Sequence, residues 1–482
     1  MVYMEEDLLT KFLKLMSSEI TASDLELIKL GNSLGLDLVS FVDLRASQEE
    51  NFVDRIRNKT IEKMKHNKDN VLLNDNYFYS GSIDFMVSDE PEGKKFFLLE
   101  TNGGSHRGLS IITKKQQELL YNGYIEAIHH AIKRSGREDN KIFVLVGVPV
   151  NDALIHEKVI MIEYFRKTLK SEGYTVKIFN RESFDINFEA RIIFLIADYR
   201  QLSTSLSFND NWIKFNGEKI SVLIGDGIAR RINNEEFHQQ IKEDFLKINT
   251  IIINPIFKIT DDKSLTYLAS FFCKEILQKY NLRYLIFTKA FTEKELIDKL
   301  DYLLRNYNKS FIIKPNGGSG GAGVIPISKS ENSANLKKMI EISKNEFFTK
   351  FMKDRDPYPY TIQEKADFSL IDWKEEKHTF DLRIYLAQRH GIVIPIGGLA
   401  RIARGKFSQG LEKEEFVVNL SGYDGQIEVE RGIGFSKQSC NLLNLNEEDF
   451  ENMFSIGCIL FANIVKNYKE IVNFSKWEKI IE

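Results

Sequence analysis

Apolar positions follow two different periods along the first third of the chain. Over residues 5–65 they recur three or four positions apart, which predicts amphipathic helices. From residue 76 they form two strand-like runs joined by a polar turn, residues 77–87 and 95–100, and a helical pattern then continues to about Ser135. We therefore predict an N-terminal helical segment followed by a β-hairpin and a helix.

Short runs of branched apolar residues alternate with helical patterns over the next 120 or so residues. The predicted strands begin at Lys141, Thr175, Arg191, Ser221 and Thr250, and helices are expected over 153–172 and 235–247. Continuous apolar strands separated by helices are typical of a doubly wound, mostly parallel sheet. Because no GxGxxG sequence follows the first strand, we expect a substrate-side domain rather than a dinucleotide-binding one.

The last part of the chain mixes both periods around a glycine-rich segment. Helices are predicted over 264–279 and 293–307, strands over 284–287, 311–314, 361–365, 381–387 and 392–396, and a long amphipathic helix over 446–480. With a polar break at 136–140, the whole pattern predicts four units: residues 1–70, 71–136, 137–262 and 263–482.

Composition and charge exclude several classes of function. The 482 residues are 43% apolar and 28% charged with a net charge of −3, which predicts a packed globular protein without a basic field for nucleic acid. The three cysteines lie far apart in the chain and form no CxxC pair, which indicates neither a zinc ribbon nor a disulfide scaffold. We therefore expect a protein of a reducing compartment. The first residues do not resemble a secretory signal, and the apolar runs are shorter than the ~20 residues of a membrane helix. We expect a cytoplasmic protein with neither nucleic-acid nor membrane partners.

A lysine directly before a cluster of glycines is the strongest local signal. Lys314 ends an apolar strand, Pro315 follows, and five of the next eight residues are glycine. The residues expected to contact an anion are Lys314, Gly317, Gly318, Ser319, Gly320 and Gly321. Backbone N–H groups in such a loop can surround phosphate oxygens while the lysine adds a full charge. The spacing is not that of a P-loop, and a passive hairpin tip is the alternative.

Three oxygen-bearing side chains on the predicted hairpin form a candidate metal site. Glu100 and Asn102 are two positions apart and project from one strand face, and Asp84 lies on the preceding strand. Carboxylate and carboxamide oxygens suit Mg²⁺, which also takes phosphate oxygens as ligands. A solvated strand face is the alternative interpretation.

Two arginines alternate with apolar residues on later strands. Arg383 and Arg401 would each project from the face opposite their neighbours, where a rigid strand could present them to a phosphate group. Surface salt bridges are the alternative for each of them.

The order of these motifs resembles the ATP-grasp fold. A lysine, Lys263, stands 51 residues before Lys314, and the glycine loop is followed by a hinge strand and then by the strand of Arg383. The hinge comprises Gln363, Glu364, Lys365 and Ala366. The metal hairpin that usually ends an ATP-grasp chain is replaced here by the hairpin near the N-terminus. This order, over roughly 70–135 and 255–425, resembles circularly permuted ATP-grasp ligases, of which eukaryotic-type glutathione synthetase is one.

The resemblance implies an α/β (α+β) protein with a circularly permuted ATP-grasp fold, a doubly wound α/β substrate-side domain and an N-terminal helical segment. It implies a cytoplasmic ADP-forming ligase that joins a carboxylic acid to an amine, amino-acid or peptide-like, through an acyl phosphate. ATP and two Mg²⁺ ions, or Mn²⁺ in their place, would be its cofactors, and a homodimer is one expected form. Asp84, Glu100 and Asn102 would bind metal, Lys263, Lys314 and the glycine loop would hold phosphates, and the hinge would receive adenine.

One departure from the family leaves alternatives open. The family has an arginine two positions before the metal aspartate, where this chain has Ser82. Arg401 or Arg107 could neutralise the acyl phosphate instead, or the chemistry could be altered. His106 is a candidate base, although an ordinary turn histidine is expected more often. A phosphotransferase and a non-catalytic nucleotide-binding protein remain the alternative functions.

Overall fold

The computed structural model describes most of the chain. The described residues are 11, 24–66, 68–103, 108–136, 141–149, 152–179, 190–225, 228–237, 239, 245–318, 320–351, 355–420 and 427–482. Ser319, His106, Arg107 and residues 5–23 of the predicted helical segment, except Lys11, lie outside these ranges.

The described residues form a mixed α/β protein. The strands are β1 (Ser80–Glu90), β2 (Gly93–Asn102), β3 (Ile142–Val148), β4 (Val176–Phe179), β5 (Ile192–Asp198), β6 (Leu206–Asn209), β7 (Trp212–Phe215), β8 (Glu218–Lys219), β9 (Val222–Gly225), β10 (Ile251–Ile252), β11 (Phe287–Ala290), β12 (Phe311–Lys314), β13 (Ile325–Ile327), β14 (Tyr360–Glu364), β15 (Leu370–Trp373), β16 (Glu376–Arg389), β17 (Ile392–Ile402) and β18 (Gly432–Gly434). The α-helices are α1 (Asp24–Ser33), α2 (Val42–Ala46), α3 (Glu50–Lys65), α4 (Lys114–Ser135), α5 (Ile155–Ser171), α6 (Tyr199–Ser205), α7 (Ile228–Arg231), α8 (Phe257–Thr260), α9 (Lys263–Phe271), α10 (Lys274–Gln278), α11 (Glu293–Tyr307), α12 (Ser333–Lys350), α13 (Lys437–Leu443), α14 (Glu447–Lys466) and α15 (Tyr468–Val472).

The central sheet joins distant parts of the chain. Its strand order is β18-β17-β16-β1-β2, with β15 paired to β16, and all of its pairs are antiparallel. Helix α14 covers the face that carries Ile83, and α4 covers the opposite face. Helix α4 approaches closely because residue 123 is glycine: a Cβ there would lie 2.3 Å from the carbonyl oxygen of Tyr79. The predicted N-terminal hairpin thus lies in the same sheet as the strand of Arg383.

A second sheet is entirely parallel, as the sequence pattern predicts. Its order is β10-β9-β3-β5-β4. Alternate residues of β3 pack on opposite sides: Val144 belongs to the core shared with α4 and α5, and Leu145 belongs to the core shared with α6. Both faces are therefore covered, which explains why these strands are apolar throughout.

Two smaller sheets complete the fold. Strands β11-β14-β12-β13 form an antiparallel sheet that packs on α11 and α12 and carries Lys314 at the end of β12. Strands β6-β7-β8 form a meander between β5 and β9. The sequence interpretation contained neither this meander nor α12.

Several predicted elements differ from the observed ones. The helix expected over 446–480 ends at Lys466, and it is buried almost all round rather than amphipathic, because α3 and the central sheet enclose it. After α15 the chain is irregular and places Trp477 in the core, and Ile481 forms a bridge to Phe287. The tail therefore folds back onto β11, which a continued helix could not do.

Smaller differences occur at three other places. The strand predicted over 284–287 is observed at β11, and the helix predicted over 264–279 is divided into α9 and α10. The strand predicted from Thr250 is confined to β10. Of the helix predicted over 235–247, residues 235–237 and 239 are helical, and Phe245–Lys247 form a 3-10 turn. In the described part of the chain, no helix combines the length and apolar character needed to cross a membrane.

Candidate functional site

A cavity between the central sheet and the sheet of β12 brings the sequence-predicted residues together. Lys263, Lys314, Glu100 and Arg401 line it, although they are spread over about 300 positions of the chain. The glycine segment after β12 forms one wall, and Gly318, Gly320 and Gly321 line the cavity there. The lining thus combines cationic side chains, the backbone of the glycine segment and carboxylate oxygens.

Lys314 is buried at the centre of this cavity. Its Nζ donates to the hydroxyl oxygen of Tyr267 and to Oε1 of Gln363, each at 2.6 Å, and the Tyr267 hydroxyl lies 2.6 Å from the carbonyl oxygen of Leu99. Burial, together with the nearby charge of Lys263, lowers the pKa of Lys314 to about 7 against the opposing effect of Glu100. The ammonium therefore lacks a full counter-charge, and an incoming anion would supply one.

Tyr267 is a site residue that the sequence interpretation missed. It lies four positions after Lys263 on α9, and residues at this spacing share one helix face. Asp262 begins that helix by accepting N–H groups of Ser264 and Leu265, which fixes the position of Lys263. The spacing from Lys263 was the signal that could have identified Tyr267.

Glu100 pairs with Lys263 across the cavity. Its carboxylate lies 2.9 Å from the lysine Nζ. Burial is the largest effect and opposes ionisation of Glu100, but the charge and hydrogen bond of Lys263, together with the charge of Arg383, lower the pKa of Glu100 below its usual value. The side chain of Glu100 keeps 31% exposure and lines the cavity, so its carboxylate remains accessible to a ligand.

Asp84 is held differently from the metal ligand that the sequence suggested. Arg383 donates to its two oxygens at 2.8 and 2.7 Å, and Arg401 donates to Oδ2 at 2.8 Å. These guanidinium groups hold the pKa of Asp84 well below its usual range, although burial alone would raise it. Two cations at this distance oppose a divalent ion at the same carboxylate.

Arg401 also pairs with a second buried carboxylate, Asp381, whose Oδ1 accepts from its Nε at 2.8 Å. Burial raises the pKa of Asp381 to about 6, while the charge of Arg401 acts in the opposite direction. Two carboxylates and two guanidinium groups thus form a nearly neutral cluster at the cavity wall. Both predicted arginines therefore belong to an ordered buried network, and Arg401 lines the cavity.

Glu100 and Asn102 fit a Mg²⁺ ion better than Asp84 does. The Glu100 carboxylate is partly exposed and is not enclosed by guanidinium groups as the Asp84 carboxylate is. The amide nitrogen of Asn102, buried without a hydrogen-bond partner, is a donor, so a metal contact would have to come from the carboxamide oxygen. Among the described residues, no three His, Cys, Asp or Glu side chains gather as a metal site. An ion here would need Glu100, Asn102 and oxygens from a bound ligand, which is how Mg²⁺ is commonly held with phosphates.

The hinge strand β14 borders an apolar slot of the same cavity. The side chains that line this slot are Met86, Leu99, Leu285, Ile312, Ala366, Phe368, Phe416 and Val418. The backbone N–H groups of Glu364 and Lys365 donate to carbonyls of Ile286 and Ser310, and the Glu364 carboxylate pairs with Lys309 at 2.5 Å. These two backbone N–H groups of the hinge are therefore already paired within the protein. Gln363 contributes its side chain to Lys314 instead.

A second loop, residues 403–420, covers the glycine segment. Glu415 organises this loop by accepting backbone N–H groups of Ser408, Gln409 and Gly410. A Cβ at residue 321 would lie 3.0 Å from Val417, and the φ of Gly321 is +73°, so a side chain there would be strained. The two loops together form the mouth of the cavity.

An ion pair ties the two loops. Lys413 pairs with Glu346, and the same Glu346 oxygen accepts the backbone N–H of Gly323. Because both groups are partly shielded from water, we expect the pair to contribute about 1 kcal/mol to holding the glycine segment against the loop of residues 403–420. Neither residue was identified from the sequence.

Lys413→Met should loosen the glycine segment while preserving the fold. We expect amide hydrogen exchange over residues 317–324 to accelerate about 3- to 10-fold with little change in melting temperature. Lys406→Met, which removes the exposed pair with Glu376, is the matched control and should leave this exchange unchanged. Equal protection in both variants would show that the pair does not hold the loop.

Comparisons with known proteins give only distant structural matches. No family model matches this sequence, and no curated protein matches it. One similar solved structure is a provisionally named gamma-glutamylcysteine synthetase from Methylobacillus flagellatus KT, with 12% identity, a TM-score of 0.46, and coverage of 86% of this chain and 93% of that chain. A glutathione synthetase-like effector from Globodera pallida has 13% identity, a TM-score of 0.37, and coverage of 75% and 81%. D-cycloserine synthetase has 11% identity, a TM-score of 0.28, and coverage of 65% and 82%. We base the function of this chain on its own residues.

Proposed function

We propose that this chain is an ATP-dependent carboxylate–amine ligase of the circularly permuted ATP-grasp type, which forms an amide bond and releases ADP and phosphate. The observation that supports the proposal is the joint cavity. Glu100 from the N-terminal hairpin and Lys314 from the C-terminal half line it together with Lys263. A permuted ATP-grasp site requires this union of the two halves.

The cavity offers a suitable place for each part of ATP. The apolar slot beside β14 suits adenine, because a planar ring can be buried there between aliphatic and aromatic side chains. Lys263, Lys314 and the glycine segment lie where the phosphates would follow. Phosphate oxygens would give Lys314 the counter-charge that it lacks in the free protein.

Lys263 and Glu100 neutralise each other while no ligand is bound. Their separation would free the lysine for a phosphate oxygen and the carboxylate for a metal ion. Glu100 and Asn102 would hold Mg²⁺, which when bound offsets negative charge on the phosphoryl oxygens. The nearly neutral network of Asp84, Arg383 and Arg401 would keep a rigid polar surface beside them.

The proposed reaction has two displacements. A carboxylate oxygen of the acid attacks the γ-phosphorus of ATP, the bond to the bridging oxygen breaks, and ADP leaves. The amine nitrogen then attacks the acyl carbon, the carbon–oxygen bond breaks, phosphate leaves, and the nitrogen loses a proton to solvent. Positioning and charge stabilisation are the main tasks of the protein in such chemistry. The loop of residues 403–420 would keep water away from the acyl phosphate.

The deciding experiment follows ADP and phosphate release with pools of carboxylic acids and amines, added singly and together. We expect ADP and phosphate in equal amounts when both pools are present, together with a new amide detected by mass spectrometry. Acid with hydroxylamine should give a hydroxamate, because hydroxylamine traps acyl phosphates.

Other results would reject the proposal. ADP formed with a phosphorylated acceptor and without free phosphate would identify a phosphotransferase. ATP binding in calorimetry without turnover in any pool or in the hydroxylamine assay would identify a nucleotide-binding protein.

A further inference from the structure

A second large cavity lies at the amino-terminal edge of the parallel sheet. Its volume is about 840 Å³, and it shares no lining residue with the cavity of Lys314. The beginnings of β3 and β10 form an apolar floor that includes Ile142 and Ile251. The end of α4 and the meander β6–β8 form its walls. The proposed ligase chemistry gives this cavity no role.

Its charge is opposite to that of the whole chain. The lining contains four cationic residues, Arg134, Lys141, Lys214 and Lys219, against the single carboxylate of Glu218. The whole chain carries a net charge of −3. Arg134 lies in the last turn of α4, where a cation is also favoured by the helix dipole. The helix dipole does not explain the two lysines of the meander, Lys214 and Lys219, which lie on strands.

Lys214 and Lys219 are directly opposite each other on β7 and β8. Like charges in this position destabilise a strand pair, so the arrangement costs free energy in the absence of a ligand. No ion pair joins either lysine to a carboxylate of the described residues within 4.0 Å. Lys219 lies 5.8 Å from the ring centre of Trp212, which leaves its positive charge uncancelled.

We propose that this cavity is a binding site for a small, multiply charged anion, either a phosphate ester or a polycarboxylate. An anion between Lys214 and Lys219 would replace their repulsion with two charge-assisted contacts. The cavity is concave and has an apolar floor, which favours a small molecule over an extended macromolecular surface. The inference is independent of the ligase proposal, because no residue is common to the two sites.

Pyrophosphate and citrate are suitable probes for titration calorimetry of the full chain without Mg²⁺. We expect the double variant Lys214→Gln/Lys219→Gln to lose at least 10-fold in affinity for the preferred anion. Lys337→Gln/Lys338→Gln removes the same charge from exposed positions of α12 and should bind as wild type does. The same loss should appear when the two double variants are compared in a Lys314→Met background, which removes a phosphate contact of the first cavity and so separates the two sites.

Melting temperature gives an independent measurement. The preferred anion should raise the melting temperature of wild type, but not that of Lys214→Gln/Lys219→Gln. Without anion, the double variant should melt at or above the wild-type temperature, because the like-charge pair is removed. A preference for pyrophosphate would assign a phosphate ester, and a preference for citrate a polycarboxylate. Unchanged affinity in the double variant, or no binding of either probe to wild type, would overturn the proposal.

Discussion

Glu100→Gln should reduce ATP turnover by at least 10²-fold while leaving the fold intact. Glutamine keeps the shape of the side chain but removes the charge that pairs with Lys263 and would hold Mg²⁺. Loss of about 2.7–4 kcal/mol of transition-state stabilisation corresponds to 10²- to 10³-fold in rate. Because the carboxylate keeps 31% exposure at the cavity, the substitution leaves no fully enclosed polar group in the core.

The same hairpin offers a matched control. Glu92 lies in the exposed turn between β1 and β2. Glu92→Gln therefore removes the same charge as Glu100→Gln, but at a position outside the cavity, and this variant should turn over ATP at the wild-type rate. ADP release should be measured for both variants at several Mg²⁺ concentrations, with melting temperatures. If Glu100→Gln shows wild-type turnover and Mg²⁺ dependence, Glu100 only pairs with Lys263 and does not bind Mg²⁺, and the proposed metal site would be wrong.

Elements determined by local pattern were predictable from the sequence. The observed α11 has the predicted bounds, 293–307, because Thr292 caps its first turn and apolar residues recur with helical spacing. Strands β3 and β5 were predictable because a strand buried on both faces must be apolar throughout. The hairpin of Glu100 was also predicted, with the first strand placed three residues too early and the second strand shorter than the one observed.

The meander β6–β8 carried a signal that the interpretation did not use. Asn216-Gly217 stands between Trp212–Phe215 and Glu218, and Asn-Gly between alternating apolar positions is a strong hairpin signal. Both residues have positive φ, of +52° and +87°, as such a turn requires. The lysines of the second cavity lie on this hairpin, so its omission also concealed that cavity.

Pairing between distant strands was not accessible from local pattern. Asp84 and Arg383 become direct neighbours through the register of β1 on β16, across 299 positions of sequence. Sequence spacing could place the carboxylate and the arginine near one site, but it could not show that the two would bind each other. The structure therefore joins Asp84, Arg383 and Arg401 in one cluster, and the roles suggested for them individually stay predictions.

Lys314→Met should have opposite effects on two properties: it should stabilise the free protein and weaken ATP binding. Burial lowers the pKa of Lys314 from 10.5 to about 7, so between these values the folded state binds fewer protons than the unfolded state. The free energy of unfolding of wild type should therefore rise with pH across this window. Methionine fills the same space without a charge, so the variant should lack this rise.

The free variant should accordingly be more stable than wild type below pH 7, by ~2–5 kcal/mol on the scale of 1.36 kcal/mol for each pKa unit. Its advantage should diminish toward pH 10. Urea unfolding of both proteins at pH 6 and pH 9 measures this difference. An equal difference at the two pH values would show that Lys314 is not held with a lowered pKa.

Wild type should bind ATP more tightly than Lys314→Met, although it is the less stable of the two free proteins. Phosphate oxygens favour the ammonium form, so wild type at pH 8 should take up a proton when ATP binds, and its affinity should fall as the pH rises further. Lys314→Met should bind ATP more weakly, by roughly 1.5–3 kcal/mol, without this proton uptake. Calorimetry in two buffers of different ionisation enthalpy measures the uptake directly. If Lys314→Met shows the gain in stability but binds ATP as tightly as wild type does, Lys314 destabilises the fold without contacting a phosphate. The nucleotide would then have to bind elsewhere.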